Sequence, residues 1–316
     1  MAHALGIDVG GTFTDFAAYD QDRKVVEVWK ELSVPTDPVI GILEGLARYR
    51  EDAATVTHMR LGTTVATNAI LERTGATVAY VATKGFRDII FVQRGNRKYH
   101  YDMSWVKPKP LAKRRDCFEV DERVDAYGNI IKPLDENEVR ALGRRLAAVP
   151  EIQAVAVCLR FSYLNPAHEV RIKEILTEML PGKAISISYD VLPKWKEYER
   201  ASTTLADAYL KPVVSRQMGS MRNRLDAAGF KAPIVVIKSN GGEMTLSAAA
   251  DSPVNLEGMG WRRRASSSDL VTASVEAVDV ARGLLADINP RRHPVRRCRG
   301  RASSGRRSLR RPASIA

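Results

Sequence analysis

Two carboxylates bracket a run of glycines and hydroxyls near the start of the chain: Asp8-Val9-Gly10-Gly11-Thr12-Phe13-Thr14-Asp15. These residue types at this spacing suit the handling of phosphate. Paired glycines let a turn adopt positive φ and bring backbone close to a ligand. Successive N–H groups in such a turn make an anion-binding concavity, to which the hydroxyls of Thr12 and Thr14 add donors. Asp8, at the end of an apolar run and beside that concavity, would suit a phosphate-bound Mg²⁺, usually through water. An ordinary hairpin accounts for the glycines alone. It needs neither a carboxylate inside its apolar strand nor one, Asp15, just past the turn. The run is not the GxxxxGK[ST] loop of P-loop enzymes, and no such loop occurs in the chain.

A second candidate is Gly62-Thr63-Thr64-Val65-Ala66-Thr67-Asn68. A glycine, two threonines and then a helix start present hydroxyls and free N–H groups together, which favours anions. A helix capped by Thr63 or Thr64 would read the same way. Asn68, about one turn in, could face solvent or a ligand. Lys238-Ser239-Asn240-Gly241-Gly242 is a third polar glycine loop, either a ligand loop or a hairpin turn. His58, His100 and His168 show no paired metal spacing.

The elements that must position these loops alternate. Leu5 to Tyr19 reads as strand, tight turn, strand, and Val25 to Lys30 continues the pattern. Pro38 to Tyr49 reads as a helix capped by Asp37, with Pro38 at its first position. Thr55 to Leu61 is a strand, followed by a loop and a helix that Gly75 ends, and Thr77 to Thr83 is a strand. A hairpin is expected across Phe118–Val124 and Gly128–Ile131. Helices are expected over Asp135–Val149 and from Asn165-Pro166 to Met179, with strands at Ala154–Leu159 and Ala184–Ser188. Trp195 to Leu210 reads as a helix that Lys211-Pro212-Val213 breaks or bends before it continues to Ala228. Pro233 to Ile237 is the last clear strand. This βαβ alternation predicts a layered α/β domain with helices covering a sheet.

At 316 residues, the chain can bury one large core or two moderate ones. No apolar run is long enough to cross a membrane, and the start lacks the pattern of a signal peptide. Three widely spaced cysteines, Cys117, Cys158 and Cys298, suggest reduced thiols and a cytoplasmic location. The formal net charge of +12 is unevenly placed, because residues from Arg262 onward hold 14 Arg, no Lys and four acidic residues. The preceding residues are close to neutral, so composition does not support nucleic-acid binding by the whole protein. Gln93 to Arg115 interleaves basic and aromatic residues, among them Arg94, Lys98, Tyr101, Trp105 and Arg114. That pattern fits a substrate loop or a subunit contact as well as nucleic acid.

Residues 5 to about 256 resemble the hydantoinase A/5-oxoprolinase family, which includes ATP-using subunits of acetone and acetophenone carboxylases. The matching runs, in order, are Gly6 to Asp15, Gly62-Thr63-Thr64-Val65-Ala66-Thr67-Asn68-Ala69, Gly85-Phe86-Arg87-Asp88 and Ser239-Asn240-Gly241-Gly242. Arg94-Gly95-Asn96-Arg97 and Trp105-Val106-Lys107-Pro108-Lys109-Pro110 look more like the carboxylase-related branch. The family usually has His where this chain has Leu61.

The resemblance implies an actin/Hsp70/sugar-kinase-like, ribonuclease H-like α/β lobe with a mixed sheet and covering helices. It implies residues 1–190 as the family's N-terminal region, 191–256 as the start of its A domain, and 257–316 as a basic low-complexity tail. It further implies ATP and Mg²⁺ as cofactors and a hydantoinase B-type subunit as partner. The expected chemistry is phosphorylation of a lactam carbonyl, or of a ketone enolate. Asp8 would hold the metal, and Gly10, Gly11, Thr12, Thr14, Asp15, Asn240, Gly241 and Gly242 the nucleotide. Asp8, Thr63, Thr64 and Asn68 would act at the transferred group. The family's second phosphate loop is not found downstream of Gly242, so a second lobe is expected to be missing and the copy inactive. A non-catalytic binding protein that uses Gln93–Arg115 as an interface is the alternative. The Arg-rich tail is expected to be an out-of-frame read or a disordered extension.

Overall fold

A computed structural model describes residues 3–34, 36–49, 51–95, 101–239 and 241–256. The expectations for Asn240, for residues 96–100 and for the tail from 257 lie outside the described residues.

The chain opens with three strands, β1 (His3–Val9), β2 (Phe13–Asp20) and β3 (Val25–Leu32), joined as an antiparallel meander. Asp20 makes the second turn, its carboxylate accepting the backbone N–H groups of Asp22 and Arg23 at 2.9 Å. Helix α1 (Pro38–Leu46) starts as expected, with the Asp37 carboxylate accepting from Val39 N. Strand β4 (Val56–Thr63) then runs parallel to β1, and α2 (Val65–Leu71) follows it.

Next come β5 (Val78–Thr83), α3 (Ile89–Val92), β6 (Cys117–Val120), β7 (Arg123–Val124), β8 (Ile130–Lys132) and α4 (Glu136–Ala147). They are followed by β9 (Ala154–Cys158), α5 (Ala167–Met179), β10 (Ala184–Ile187), α6 (Ser188–Val191) and α7 (Glu197–Ala227). The described chain closes with β11 (Ile234–Ile237), β12 (Glu243–Thr245) and α8 (Leu246–Asp251).

The alternation expected from sequence is present, but it builds two main sheets. A six-stranded mixed sheet has the order β12-β11-β4-β1-β2-β3, and a parallel four-stranded sheet the order β10-β9-β5-β6. The second sheet is inserted in sequence between α2 and α7. The expected hairpin at 118–131 is smaller than predicted. Only β7 and β8 pair as a ribbon, while β6 joins β5 in the four-stranded sheet.

Helix α7 joins the two layers. Its Leu205, Leu210, Val214, Met218 and Met221 belong to one buried cluster. That cluster runs from Leu5 and Ile7 of β1 to Tyr80 of β5 and Ala156 of β9. At about 1.5–3 kcal/mol for each large apolar side chain, these five offer on the order of 10 kcal/mol before chain entropy is subtracted. That is comparable with the whole net stability of a domain. It explains why the helix runs unbroken through Pro212, although proline removes one hydrogen bond and costs about 3 kcal/mol in a helix interior. The far face of the four-stranded sheet has its own cluster, in which Val155 and Val157 meet Val139 of α4 and Ile172 and Leu176 of α5.

Gly75 does not end α2. The left-handed residue after that helix is Arg73, and Gly75 instead lies against Tyr209 of α7, whose hydroxyl accepts its N–H at 2.8 Å. Cys117 and Cys158 are free buried thiols, and burial pushes both up to about 12. No helix among the described residues is long and apolar enough to cross a membrane.

Candidate functional site at the carboxyl edge of the six-stranded sheet

Strands β1, β4 and β11 are mutually parallel neighbours, so their carboxyl ends share one edge. In open α/β sheets that edge is where ligands bind. The segments leaving it are the three singled out by sequence: the Gly10–Phe13 turn, Thr64 with α2, and the Lys238–Gly242 turn.

The first turn is closed by Gly10 N–H donating to the Phe13 carbonyl at 3.1 Å. A Cβ on Gly10 would stand 2.9 Å from that same oxygen, so the closure favours glycine. Gly11 and Thr12 are exposed at the tip. Beneath them Ser33 acts as a strut: its Oγ donates to the Gly10 carbonyl at 2.8 Å and its N–H to the Thr12 carbonyl at 3.0 Å. Thr14 is buried with its hydroxyl 3.0 Å from Ser33 Oγ. The Ser33 proton is committed to Gly10, so Thr14 is the donor in that pair. Thr14 therefore braces the loop from below and does not add a donor at its surface, contrary to the sequence expectation.

Pairing places Asp8 directly across from Asp15 on β2 and beside Gly62 on β4. Directly paired residues share a sheet face, so the two carboxylates stand together. Lys30, opposite Asp15 on β3, brings its ammonium to 2.9 Å from that carboxylate. A Cβ on Gly62 would lie 2.7 Å from Asp8 Oδ1. The space where the Asp8 carboxylate rests exists because residue 62 lacks a side chain.

Gly62 and Thr63 complete β4 instead of forming a loop. Thr64 occupies the cap position of α2, yet it is Thr63 Oγ1 that accepts Val65 N–H, at 3.3 Å. Thr64 ties the two candidate segments together. Its N–H and hydroxyl both donate to the Val9 carbonyl, at 3.3 and 3.2 Å, and its Oγ1 accepts Asn68 Nδ2 at 3.3 Å. Asn68 in turn faces the glycine turn, since a Cβ on Gly11 would lie 4.0 Å from Asn68 Nδ2. Gly241 and Gly242 form the hairpin turn between β11 and β12: Gly241 takes φ +83°, and Lys238 N–H donates to the Gly242 carbonyl at 2.7 Å.

Ser33 and Lys30 are site residues the sequence reading missed. Counting back from the Asp20–Val25 turn would have put Ser33 opposite Thr12 and Lys30 opposite Asp15. Replacing Ser33 with alanine should remove about 1–2 kcal/mol of stability, because it leaves the buried Thr14 donor without its acceptor. Amide exchange at Gly10 should also accelerate. Wild-type protection of that amide in the Ser33→Ala protein would show that Ser33 is no strut.

A second buried polar network lies at the carboxyl ends of the four-stranded sheet. Thr83 donates to Glu122, whose other oxygen is 2.7 Å from His168 Nδ1. His168 is thus paired inside the protein. Glu169 accepts from Leu159 N, Ser188 Oγ and Tyr189 N. Burial nonetheless pushes its carboxyl pKa up. Arg200, also buried, donates to Ser162 Oγ at 2.9 Å and to the Leu159 carbonyl at 2.7 Å. Two basic side chains beyond Gln93 are likewise engaged internally: Arg94 pairs with Glu199 at 2.7 Å and Lys107 donates to the Val92 carbonyl.

With this geometry in place, comparison with known proteins identifies the class. The hydantoinase/oxoprolinase N-terminal region matches residues 4–180, and the hydantoinase/oxoprolinase description matches 200–266, past the Leu256 limit of the sequence reading. The chain belongs to the hydantoinase/oxoprolinase family. It is 33% identical over 250 residues to the caprolactamase subunit alpha of Pseudomonas jessenii, covering 76% of this chain and 36% of that protein. It is 32% identical over 273 residues to the acetophenone carboxylase gamma subunit of Aromatoleum aromaticum, covering 77% and 36% respectively. The crystal structure of the ATP-dependent caprolactamase from Pseudomonas jessenii superimposes with a TM-score of 0.71 at 31% identity, covering 80% of this chain and 38% of that one. The chain thus spans less than two fifths of the length of these relatives.

Proposed function

We propose that the carboxyl edge of the six-stranded sheet binds ATP with Mg²⁺ and presents it to the carbonyl of a lactam such as a hydantoin or 5-oxoproline, for ring opening with a B-type partner subunit. The observation that carries this reading is the meeting of the Gly10–Thr12 turn, Asp8 over Gly62, and the Thr64–Asn68 pair at one strand edge. ATP, when bound, supplies a phosphoryl group that makes the carbonyl oxygen a leaving group. Such chemistry asks the protein for positioned anion donors and metal ligands more than for a covalent nucleophile.

The residues present fit that ligand. Gly11 and Thr12 offer backbone N–H groups at an exposed tip that the Gly10 N–H closes from within, and any side chain on Gly11 would begin to fill the gap to Asn68. Among the described residues, no group of three or more His, Cys, Asp or Glu could hold a metal alone. A cation that keeps its waters and leans on phosphate oxygens plus Asp8, with Asp15 beside it, suits Mg²⁺. Thr63, Thr64 and Asn68 would orient the transferred group. Gly241 and Gly242, in the turn after β11, would contribute to the nucleotide site from that side.

The order β3-β2-β1-β4-β11, with β2 alone antiparallel to the rest, supports an actin-like, ribonuclease H-like lobe. We place the family's N-terminal region at 1–190 and its A domain from 191. A carboxylase-type role, with a ketone enolate as acceptor, is the second reading and is favoured by the similarity to the acetophenone carboxylase subunit.

Calorimetric titration of ATP with Mg²⁺ into the wild-type chain, Asp8→Ala and Gly10→Val tests the assignment. Binding is expected in the wild type and at least tenfold weakening in each variant. Equal affinity in all three removes it.

A further inference from the structure

Gly85-Phe86-Arg87-Asp88 is the one matching run that the carboxyl-edge site does not use. It lies beside a cleft of about 750 Å³ at the free edge of the four-stranded sheet, along β6. Four guanidinium groups line this cleft: Arg87 from the turn after β5, Arg114 and Arg115 from the short 3₁₀ turn before β6, and Arg145 from α4. They come from three separate stretches of chain, so the convergence is not the solvated stripe of one helix.

The two carboxylates in the cleft, Glu119 and Glu138, are both engaged. Glu119 accepts Gly85 N–H at 2.8 Å, and Glu138 accepts Asp121 N–H at 2.9 Å. Two of the arginines are held in place. Arg145 stacks 4.9 Å from the centre of the Phe118 ring, and Arg114 donates to Asp88 at 2.8 Å. Arg115 has only a 3.7 Å approach to Asp116. Among the described residues no hydrogen bond or ion pair engages the Arg87 guanidinium.

Arginine forks match phosphate and carboxylate oxygens in pairs. Groups braced before binding lose less freedom on binding. The volume is that of a small-molecule site, and the four residues of β6 are too short an edge to template an added strand.

We propose that this cleft binds a compact polyanion, a small molecule carrying two or more phosphate or carboxylate groups, at a site separate from the carboxyl edge. Pyrophosphate and citrate serve as probes, titrated calorimetrically into the full chain at low salt. The glycine turn could also take pyrophosphate, so Gly10→Val is the control that disables it. Binding should persist in Gly10→Val and fall at least tenfold in the Arg87→Gln/Arg145→Gln double variant. It should also weaken steeply as salt is raised. Arg115→Gln, at a side chain 77% exposed, gives a measurably weaker site even where the double variant unfolds. The inference is overturned by three results: neither probe binding to the wild type, binding unchanged in all the arginine variants, or binding abolished by Gly10→Val alone. Preference for a short duplex DNA over both probes would also overturn it.

Discussion

Gly62→Val is expected to weaken Mg²⁺-dependent ATP binding about a hundredfold while leaving the fold in place. The nearest atom to a new Cβ is Asp8 Oδ1 at 2.7 Å, whereas the nearest backbone atom, Asp8 Cα, is 3.7 Å away. The carboxylate must therefore swing aside while β1 and β4 stay paired, and valine suits the strand. Loss of one charged contact of roughly 2–3 kcal/mol corresponds to that fold-change. Titrations with Mg²⁺ and with a chelator separate the two effects: affinity should fall with the metal present and change little without it. A variant that matches the wild type with Mg²⁺ would mean that Asp8 does not serve the metal.

Gly75→Ala should destabilise the protein by about 3 kcal/mol, at the upper end of overpacking effects. The new Cβ would sit 2.1 Å from a ring atom of Tyr209, a side chain buried where α7 meets the start of the four-stranded sheet. Gly75 is not in the left-handed region, so the effect is steric and not conformational. Tyr209→Phe provides the contrast. It keeps the ring and removes only the acceptor for Gly75 N–H, a change of about 1 kcal/mol. Urea unfolding of both variants orders them, and a Gly75→Ala protein as stable as Tyr209→Phe would rule out the clash.

Local features were legible in the sequence where one rule dominated. The Asp37-Pro38 helix start, the glycine turn between two apolar runs and the fully apolar β9 all appear as read. What was not legible depends on contacts far apart in the chain. Thr14 reads as a surface donor until Ser33, just past the neighbouring strand β3, accepts its hydrogen bond. Gly75 reads as a helix stop because nothing local announces a tyrosine more than a hundred residues later. Pro212 reads as a break because its local penalty is visible and the burial on both sides of it is not. Strand β6 reads as half of a hairpin because its true neighbour, β5, precedes it by more than thirty residues. The candidate segments stand out in the sequence because glycine, threonine and aspartate recur there at close spacing, although Gly62 and Thr63 belong to β4 and not to a loop. Their common edge follows only from the parallel pairing of β1, β4 and β11.

The shared core around α7 bears on how such a chain could be divided. Two family descriptions meet between residues 180 and 200, which invites separate expression of the two regions. A piece ending at 190 would carry the four-stranded sheet and strands β1 to β4, but lose β11 and β12 of the six-stranded sheet and the helix that lies against both layers. Leu5, Ile7, Tyr80 and Ala156, all within one cluster with α7, would then face water. The boundary between the two family matches is therefore crossed by a single buried cluster. Layers joined in this way stand or fall as one cooperative unit, and loops on both sheets share the stability of a single helix.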